Sequence, residues 1–88
     1  MTTNRAKAKG WREERYRLLI EALVAERKRR NLSQEELAVL LGRQQHFISR
    51  YETGERRLDV IEFADIAASL GLDPCKLLMA HWARTKTS

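Results

Sequence analysis

A pair of short predicted helices on either side of one glycine constrains this chain more than any other feature. The stretch from Leu32 to Arg57 reads LSQEELAVLLGRQQHFISRYETGERR. Ser33 and Glu36 have the spacing of a capping box at the start of the first helix, and Gly42 is typical of a helix end. A tight turn over residues 42–44 then leads into the second helix. The first helix is predicted to pack beneath the second, and the second helix to face outward to the solvent.

The outward helix has an apolar side and a polar side. At about 100° per residue, one side carries Phe47, Ile48, Tyr51 and Glu52. The opposite side carries Gln45, His46, Ser49, Arg50 and Thr53. Such amide, hydroxyl and guanidinium groups suit the donor and acceptor edges of base pairs in a major groove, although an ordinary solvated helix face would also carry them. The pattern favours a helix-turn-helix that binds DNA.

The helix before this pair, from about Trp11 to Arg30, has an apolar stripe whose last member is charged. The stripe consists of residues three and four apart: Tyr16, Leu19, Ile20, Leu23, Val24 and Arg27. A charge in that position either reaches water at the helix end or forms half of a partly buried ion pair. The sequence pattern alone leaves both possibilities open.

Two more helices are predicted after Arg57. Asp59 with Glu62, and Asp73 with Pro74, mark their starts, and they run to about Leu70 and Trp82. The second and fourth helices are expected to bury Leu37, Ala38, Leu40, Leu41, Val60, Phe63, Ile66, Ala67 and Leu70. Five helices with short connections and no strand signal predict an all-α domain.

The expected domain organisation is a basic flexible tail over residues 1–12, a helix-turn-helix domain over 13–82 and a C-terminal tail over 83–88. The basic tail is polar enough to be disordered in isolation. It could act only as a solubilising segment, or as an arm that lies along DNA phosphates or enters a minor groove.

The amino-acid composition indicates the kind of binding partner and the cellular compartment to expect. Seventeen basic and 12 acidic residues give a net charge of +5, and the excess lies before residue 58, where 14 residues are basic and 8 acidic. An anionic partner is therefore favoured. The single cysteine, Cys75, excludes an internal disulfide and is expected to be a small apolar filler. With no apolar run long enough to span a bilayer and no secretory signal, we expect a soluble, cytoplasmic protein.

The sequence carries no residue set that would indicate an enzyme. There is no nucleophile with its base, no pair of catalytic carboxylates and no phosphate-binding loop. Cys75 and the two histidines have no companions at metal-ligand spacing. Catalysis, a cofactor and a metal are therefore not expected, and no small-molecule effector is expected because no ligand domain follows the helix-turn-helix.

The strings LSQEELAVLLG, ISRYETGERR and SLGLDPCKLL together resemble the Cro/cI phage-repressor family of helix-turn-helix proteins, also called the xenobiotic-response-element (XRE) family. The resemblance extends from about Leu19 to Leu78, which is most of the chain. It implies a five-helix, lambda-repressor-like DNA-binding domain. The implied function is sequence-specific transcription regulation, for example as a repressor, with double-stranded DNA as partner.

The resemblance also implies roles for individual residues. Base edges would be read by Gln44, Gln45, His46 and Arg50. Phosphates would be contacted by Gln34 and Ser49, and we add Arg43, Arg56 and Arg57 because they are basic and flank the outward helix. The family commonly pairs an arginine late in the first helix with the glutamate that precedes the glycine of the E-x-G element, here Arg27 with Glu52. These are the two charges that periodicity places on inward faces.

Four positions depart from the family pattern. Arg43 stands where an aliphatic residue is usual, and Gln44 stands where a serine or threonine normally caps the next helix. Leu58 replaces a common proline, and Phe47 occupies a position that is often polar. Arg43 is therefore expected to point outward, toward a phosphate, and Phe47 to form an edge of the core, with contact to a thymine methyl group as the alternative.

The last helix offers a candidate interface between two copies of the chain. Its anchors would be Leu78, Met79 and Trp82, and a dimer would read two half-sites about 10 bp apart. Alternatively, Trp11 and Trp82 could pack on each other or cap the core. The competing function is a protein-interaction module of antitoxin type, with DNA binding secondary, which a large exposed apolar patch would favour.

Overall fold

The structure is a computed structural model that describes the backbone of residues 13–86 and the side chains of residues 13–82. Five helices, and no strand, lie in that part of the chain. They are α1 (Glu14–Arg29), α2 (Gln34–Leu41), α3 (Gln45–Thr53), α4 (Val60–Ser69) and α5 (Pro74–Lys86). The predicted all-α fold is confirmed. The predicted tail over residues 1–12, with Trp11 in it, lies outside the described residues.

The helix starts that the sequence marked are formed by side-chain caps. Ser33 Oγ accepts a hydrogen bond from the Glu36 N–H at 3.0 Å, and Glu36 Oε1 accepts from the Ser33 N–H at 2.8 Å. Asp59 and Glu62 form the same reciprocal pair at α4, at 2.7 and 3.0 Å. Because each box satisfies two backbone donors that the helix itself leaves unpaired, it fixes where the chain turns into the helix.

The core lies where α1 to α4 meet. Its buried apolar members are Ile20, Leu23, Leu37, Ala38, Phe47, Ile48, Tyr51, Ile66, Ala67 and Leu70. Gly42 ends α2 with φ +68° and ψ +32°, a left-handed conformation that is costly for residues with a side chain. This bend turns α3 across α2, so that the apolar side of α3 reaches the core.

Two residues expected in the core are exposed instead. Leu40 is 58% exposed because it lies roughly 110° around α2 from the midline of Leu37, Ala38 and Leu41, which face inward. Val60 is 73% exposed because it is the first residue of α4 and lies beyond the edge of the core. Helical periodicity alone does not define how wide the buried stripe is.

The C-terminal helix is longer than predicted, and its cysteine is not a filler. α5 continues four residues past Trp82 to Lys86, through a stretch that contains neither glycine nor proline. Cys75 is exposed, because it sits in the first turn of α5, outside the core.

Candidate nucleic-acid interface

α3 presents its polar side to solvent and its apolar side to the core. Phe47, Ile48 and Tyr51 are buried. The exposed residues of the helix are Gln45, His46, Arg50 and Thr53, and Ser49 is half-buried. The Arg50 side chain makes no hydrogen bond or ion pair with any residue of 13–82, so its guanidinium is available to a partner. The orientation predicted from periodicity is therefore the one observed.

A nearly buried ion pair fixes α3 to α1. Arg27 donates from Nε to Glu52 Oε2 at 2.7 Å and from Nη2 to Glu52 Oε1 at 3.0 Å, and both side chains are less than a tenth exposed (9% and 7%). A third bond runs from Arg27 Nη1 to the Leu32 carbonyl at 2.7 Å. The hydrogen bond to Glu52 raises the pKa of Arg27. Of the two possibilities left open for the charge at the end of the α1 stripe, the structure has the buried pair.

The ion pair continues into a chain of side-chain hydrogen bonds that ends on the exposed face of α3. Gln34 Nε2 donates to Glu52 Oε1 at 2.8 Å, and Gln45 Nε2 donates to Gln34 Oε1 at 2.6 Å. An ionised carboxylate only accepts hydrogen bonds, so Glu52 requires the NH2 group of Gln34 to face it. Gln34 must then offer its oxygen to Gln45. The carbonyl oxygen of Gln45 and its second N–H remain available to a partner.

Two arginines on either side of α3 converge on Phe47 and Glu62. The guanidinium carbon of Arg43 lies 3.8 Å from the centroid of the Phe47 ring, and that of Arg56 lies 5.0 Å from it. Arg56 also makes a two-pronged ion pair with Glu62, at 2.8 and 2.9 Å. This hydrogen bonding lowers the pKa of Glu62 to about 2. Phe47 is an edge of the core, as expected.

This role of Glu62 was not predicted from the sequence. The sequence pattern identified the residue only as the second half of a capping box, and its carboxylate does accept from the Asp59 N–H. The sequence did carry a signal, because Glu62 lies six residues after Arg56 and its side chain can turn back toward the arginine-rich loop. The pairing with Arg43 could not be read from the sequence, since 19 positions separate the two residues.

The remaining predicted contact residues lie at the ends of α3 or beyond it. Gln44 is the N-cap of α3 but makes no capping hydrogen bond with its side chain, which is exposed. The guanidinium of Arg57 lies 4.0 Å over the ring of Tyr16. Tyr16 in turn accepts a hydrogen bond from the Leu58 N–H at 3.1 Å. The loop between α3 and α4 is therefore fastened to α1.

A second surface combines α5 with an open apolar groove. Leu78, Met79 and Trp82 of α5 are all exposed. The groove, of about 390 Å³, is lined mainly by apolar side chains of α1, α4 and α5, including Leu19, Val60, Phe63 and Leu78. Trp82 is covered on one side by the guanidinium of Arg15, 4.1 Å from the ring centroid. The alternative contact of Trp82 with Trp11 lies outside the described residues.

The described part of the chain has neither a metal-ligand cluster nor a membrane-spanning helix. Residues 13–82 contain no group of three or more histidine, cysteine or carboxylate side chains placed to hold a metal ion. None of the helices in residues 13–86 has the length and apolar character needed to cross a membrane.

A glycine bend between two short helices, with the second one braced from beneath and polar on its outer side, defines a helix-turn-helix DNA-binding protein. The helix-turn-helix family matches residues 23–77. The solved structure of an XRE-family like protein from Pseudomonas syringae pv. tomato str. DC3000 is 46% identical, with a TM-score of 0.78, and the match covers 82% of this chain and 88% of that one. No curated protein matches. The chain belongs to the XRE family of helix-turn-helix proteins, which confirms the resemblance seen in the sequence.

Proposed function

We propose that this protein is a sequence-specific transcriptional regulator, dimeric, that places α3 in the major groove of a two-fold symmetric operator. The observation that carries the proposal is the exposure of Gln45, His46 and Arg50 on the one face of α3 that does not contact the core. The Arg27–Glu52 pair and Gln34 support it, because they hold that face in a fixed position.

Base reading is assigned to Gln44, Gln45, His46 and Arg50. Arg50 has the donors for the O6 and N7 atoms of a guanine, and its guanidinium has no competing partner among residues 13–82. Gln45 has an oxygen and an N–H left over, which together match the N6 and N7 atoms of an adenine. Glu52 orients the amide of Gln34 through a hydrogen bond, and Gln34 in turn orients the amide of Gln45.

Phosphate contacts are assigned to residues around α3: Gln34, Arg43, Ser49, Arg56 and Arg57. Their positions at the start of α2, on α3 and in the loop after it suit a DNA backbone on either side of a groove occupied by α3. Such contacts position the protein without specifying sequence. We therefore expect binding to weaken steeply as salt is raised.

The dimer is assigned to α5, through Leu78, Met79 and Trp82. These side chains lie exposed on one helix beside the apolar groove, so a second copy could bury them. A single domain of this kind reads one half-site, whereas a two-fold dimer reads two at a spacing of about 10 bp.

The test is selection of bound sequences from a random oligonucleotide pool, followed by affinity measurements on the selected site. We expect a palindromic consensus with half-sites about one helical turn apart. Arg50→Ala should lose discrimination at one base pair per half-site, by about 1–3 kcal/mol, and leave other positions unchanged. Equal weakening on all sequences would reassign Arg50 to a phosphate. A pool without enrichment would contradict sequence-specific reading.

One observation favours a second candidate function, a protein-interaction module of antitoxin type. The exposed α5 residues, of which Leu78 also lines the groove, form an apolar surface that could bind another protein instead of a second copy. Sedimentation of the isolated protein separates the two candidates. A dimer supports the symmetric regulator, whereas a monomer that fails to select a palindrome supports the interaction module.

A further inference from the structure

We propose that Arg43 and Arg56 act as one unit that holds a single DNA phosphate beside the start of α3, with Phe47 and Glu62 as positioning residues. We call these four residues the two-arginine seat. The inference rests on the proposed DNA-binding function and deepens it. It concerns how the protein holds the DNA backbone. It depends on Arg43 and Phe47, two positions at which this chain departs from its family.

The two guanidinium groups meet on the same ring and on the same carboxylate oxygen. Both lie against Phe47, at 3.8 and 5.0 Å from its centroid. Glu62 Oε2 is 3.6 Å from Arg43 Nη2 and 2.9 Å from Arg56 Nη2. Because Phe47 is buried and lies 5.7 Å from the Tyr51 ring, centroid to centroid, the ring is a fixed platform. Two arginines that flank α3 in sequence thereby contact the same ring and approach the same carboxylate oxygen.

The seat retains donors that its own residues do not use. A guanidinium has five N–H groups. Arg56 commits two of them to Glu62 and one to the Arg57 carbonyl, at 3.0 Å, so Nε–H and one N–H of Nη2 remain. Arg43 approaches Glu62 at 3.6 Å, which is too far for a hydrogen bond, and its N–H groups have no acceptor among residues 13–82. Both arginines are 40% exposed, whereas Glu62 beneath them is 14% exposed.

The four residues of the seat together carry one net positive charge. Two guanidinium cations are opposed by one carboxylate within the seat, and two further acids lie nearby: Asp59, whose charge acts on Arg56, and Asp65, which lines the same cleft as Arg43 and Glu62. The two guanidinium groups carry like charges and repel each other, and the Glu62 carboxylate offsets only one of the two charges. A phosphodiester group carries one negative charge and two unbridged oxygens, so it could accept from both arginines at once. The first turn of α3 begins two residues after Arg43 and has no side-chain cap.

The experiment measures the salt dependence of binding for wild type and variants on the operator selected by wild type. Each phosphate contact contributes about 0.9 to the slope of log affinity against log salt. We expect Arg43→Gln and Arg56→Gln each to reduce the slope by about 0.9. Between ~50 and ~200 mM salt, that change makes the loss of affinity about 3.5-fold smaller. The double variant should lose no more slope than either single variant, because both arginines hold the same phosphate.

Two further variants make the test specific. Phe47→Leu keeps an apolar side chain but removes the ring, so it should lower the slope as the arginine variants do while the selected base preference stays the same. Phe47→Leu also removes a ring from the core. The arginine variants therefore test the proposal separately from any change in the stability of Phe47→Leu. Arg29→Gln is the matched control: it removes one exposed arginine from α1, where the side chain pairs with Glu26, and should leave the slope unchanged.

The outcomes separate this inference from the proposed function. A slope reduced by about 1.8 in the double variant would mean two separate phosphates and would overturn the seat. Unchanged slopes with lowered melting temperatures would make the cluster a purely structural ion pair, which also overturns it. In either case, a palindromic selected site and a base-specific effect of Arg50→Ala would leave the proposed function standing. Absence of salt-dependent DNA binding by wild type would overturn both.

Discussion

At the scale of single residues, Glu52 connects the core to the polar face of α3. Its two oxygens accept from both Arg27 and Gln34, so one carboxylate balances a buried charge and also orients the amides that lead to Gln45. The same carboxylate therefore links the buried ion pair to the exposed face of α3. Removal of the Glu52 carboxylate therefore leaves Arg27 without a counter-charge and leaves the amide of Gln34 free to rotate.

We expect Glu52→Ala to lower the free energy of unfolding by about 3–5 kcal/mol, because Arg27 would remain buried without a counter-charge. Urea denaturation followed by circular dichroism measures the change. The double variant Arg27→Met with Glu52→Leu is the control, and it should recover most of the loss because neither charge remains. Glu52→Ala with unchanged stability would show that Arg27 reaches water by another route.

At the scale of secondary-structure elements, α3 has the weakest start of the helices with described caps. Ser33 caps α2 and Asp59 caps α4, whereas Gln44 makes no capping hydrogen bond at α3. The helix persists because its apolar residues are buried and Glu52 is tied to α1. A poor cap leaves the Gln44 side chain and the first amides of α3 available to DNA, at a cost in local stability.

Replacing Gln44 tests whether the missing cap lowers stability while leaving groups available to DNA. We expect Gln44→Ser to raise the free energy of unfolding by about 1 kcal/mol, because a serine hydroxyl can accept from the first-turn amides. If Gln44 reads a base, the same variant should bind its selected site less specifically. Thermal melts and affinity measurements on that site check the two parts, and Gln44→Ala serves as the control without a capping oxygen. Equal stability of the serine and alanine variants would contradict the expected cap.

The junction between α4 and the preceding loop should be sensitive to acid. Hydrogen bonding to Arg56 holds the pKa of Glu62 at about 2 in the folded protein, against an ordinary value of 4.5. Because the folded-state pKa is the lower one, ionised Glu62 stabilises the fold above pH 4.5, and that contribution is lost as the pH falls from 4.5 toward 2.

Melting temperatures recorded across that range measure the effect. Glu62→Gln should show a smaller fall than wild type, since glutamine can still cap α4 but has no proton to take up. Glu36→Gln is the matched control, because Glu36 closes the equivalent capping box of α2. Identical acid profiles for Glu62→Gln and wild type would mean that the Arg56 pair adds no stability.

At the scale of the whole molecule, the two surfaces belong to different helices. α3 with its flanking arginines forms the polar and basic one, and α5 with the groove forms the apolar one. A protein that reads one half-site through α3 can double its contacts by burying the α5 surface against a second copy. The separation of the surfaces lets oligomeric state and base reading be tested independently.

A single charge on α5 should disrupt the proposed dimer. We expect wild type to sediment as a dimer and Met79→Glu as a monomer, because an unpaired carboxylate would be buried in the interface. Leu40→Glu on α2 is the matched control, since the two positions are similarly exposed, at 58% and 63%. Loss of the dimer in both variants, or in neither, would place the interface elsewhere.

The sequence by itself determined the features that depend on near neighbours. Helix positions, the capping pairs Ser33–Glu36 and Asp59–Glu62, the bend at Gly42 and the two faces of α3 all follow from residues within one or two helical turns of each other. The inward direction of Arg27 and Glu52 was also predictable, because periodicity sets it. Their pairing followed from the resemblance to a known family rather than from spacing.

Tertiary structure decided what lies between elements. It set the orientation of the Gln34 and Gln45 amides, the convergence of Arg43 and Arg56 on Phe47 and Glu62, and the exposure of Leu40 and Val60. The physical reason is that these contacts join residues on different helices, and the distance between such residues depends on how the helices pack. Periodicity gives a direction around one helix axis, but the neighbour found in that direction is determined only when the whole core has assembled.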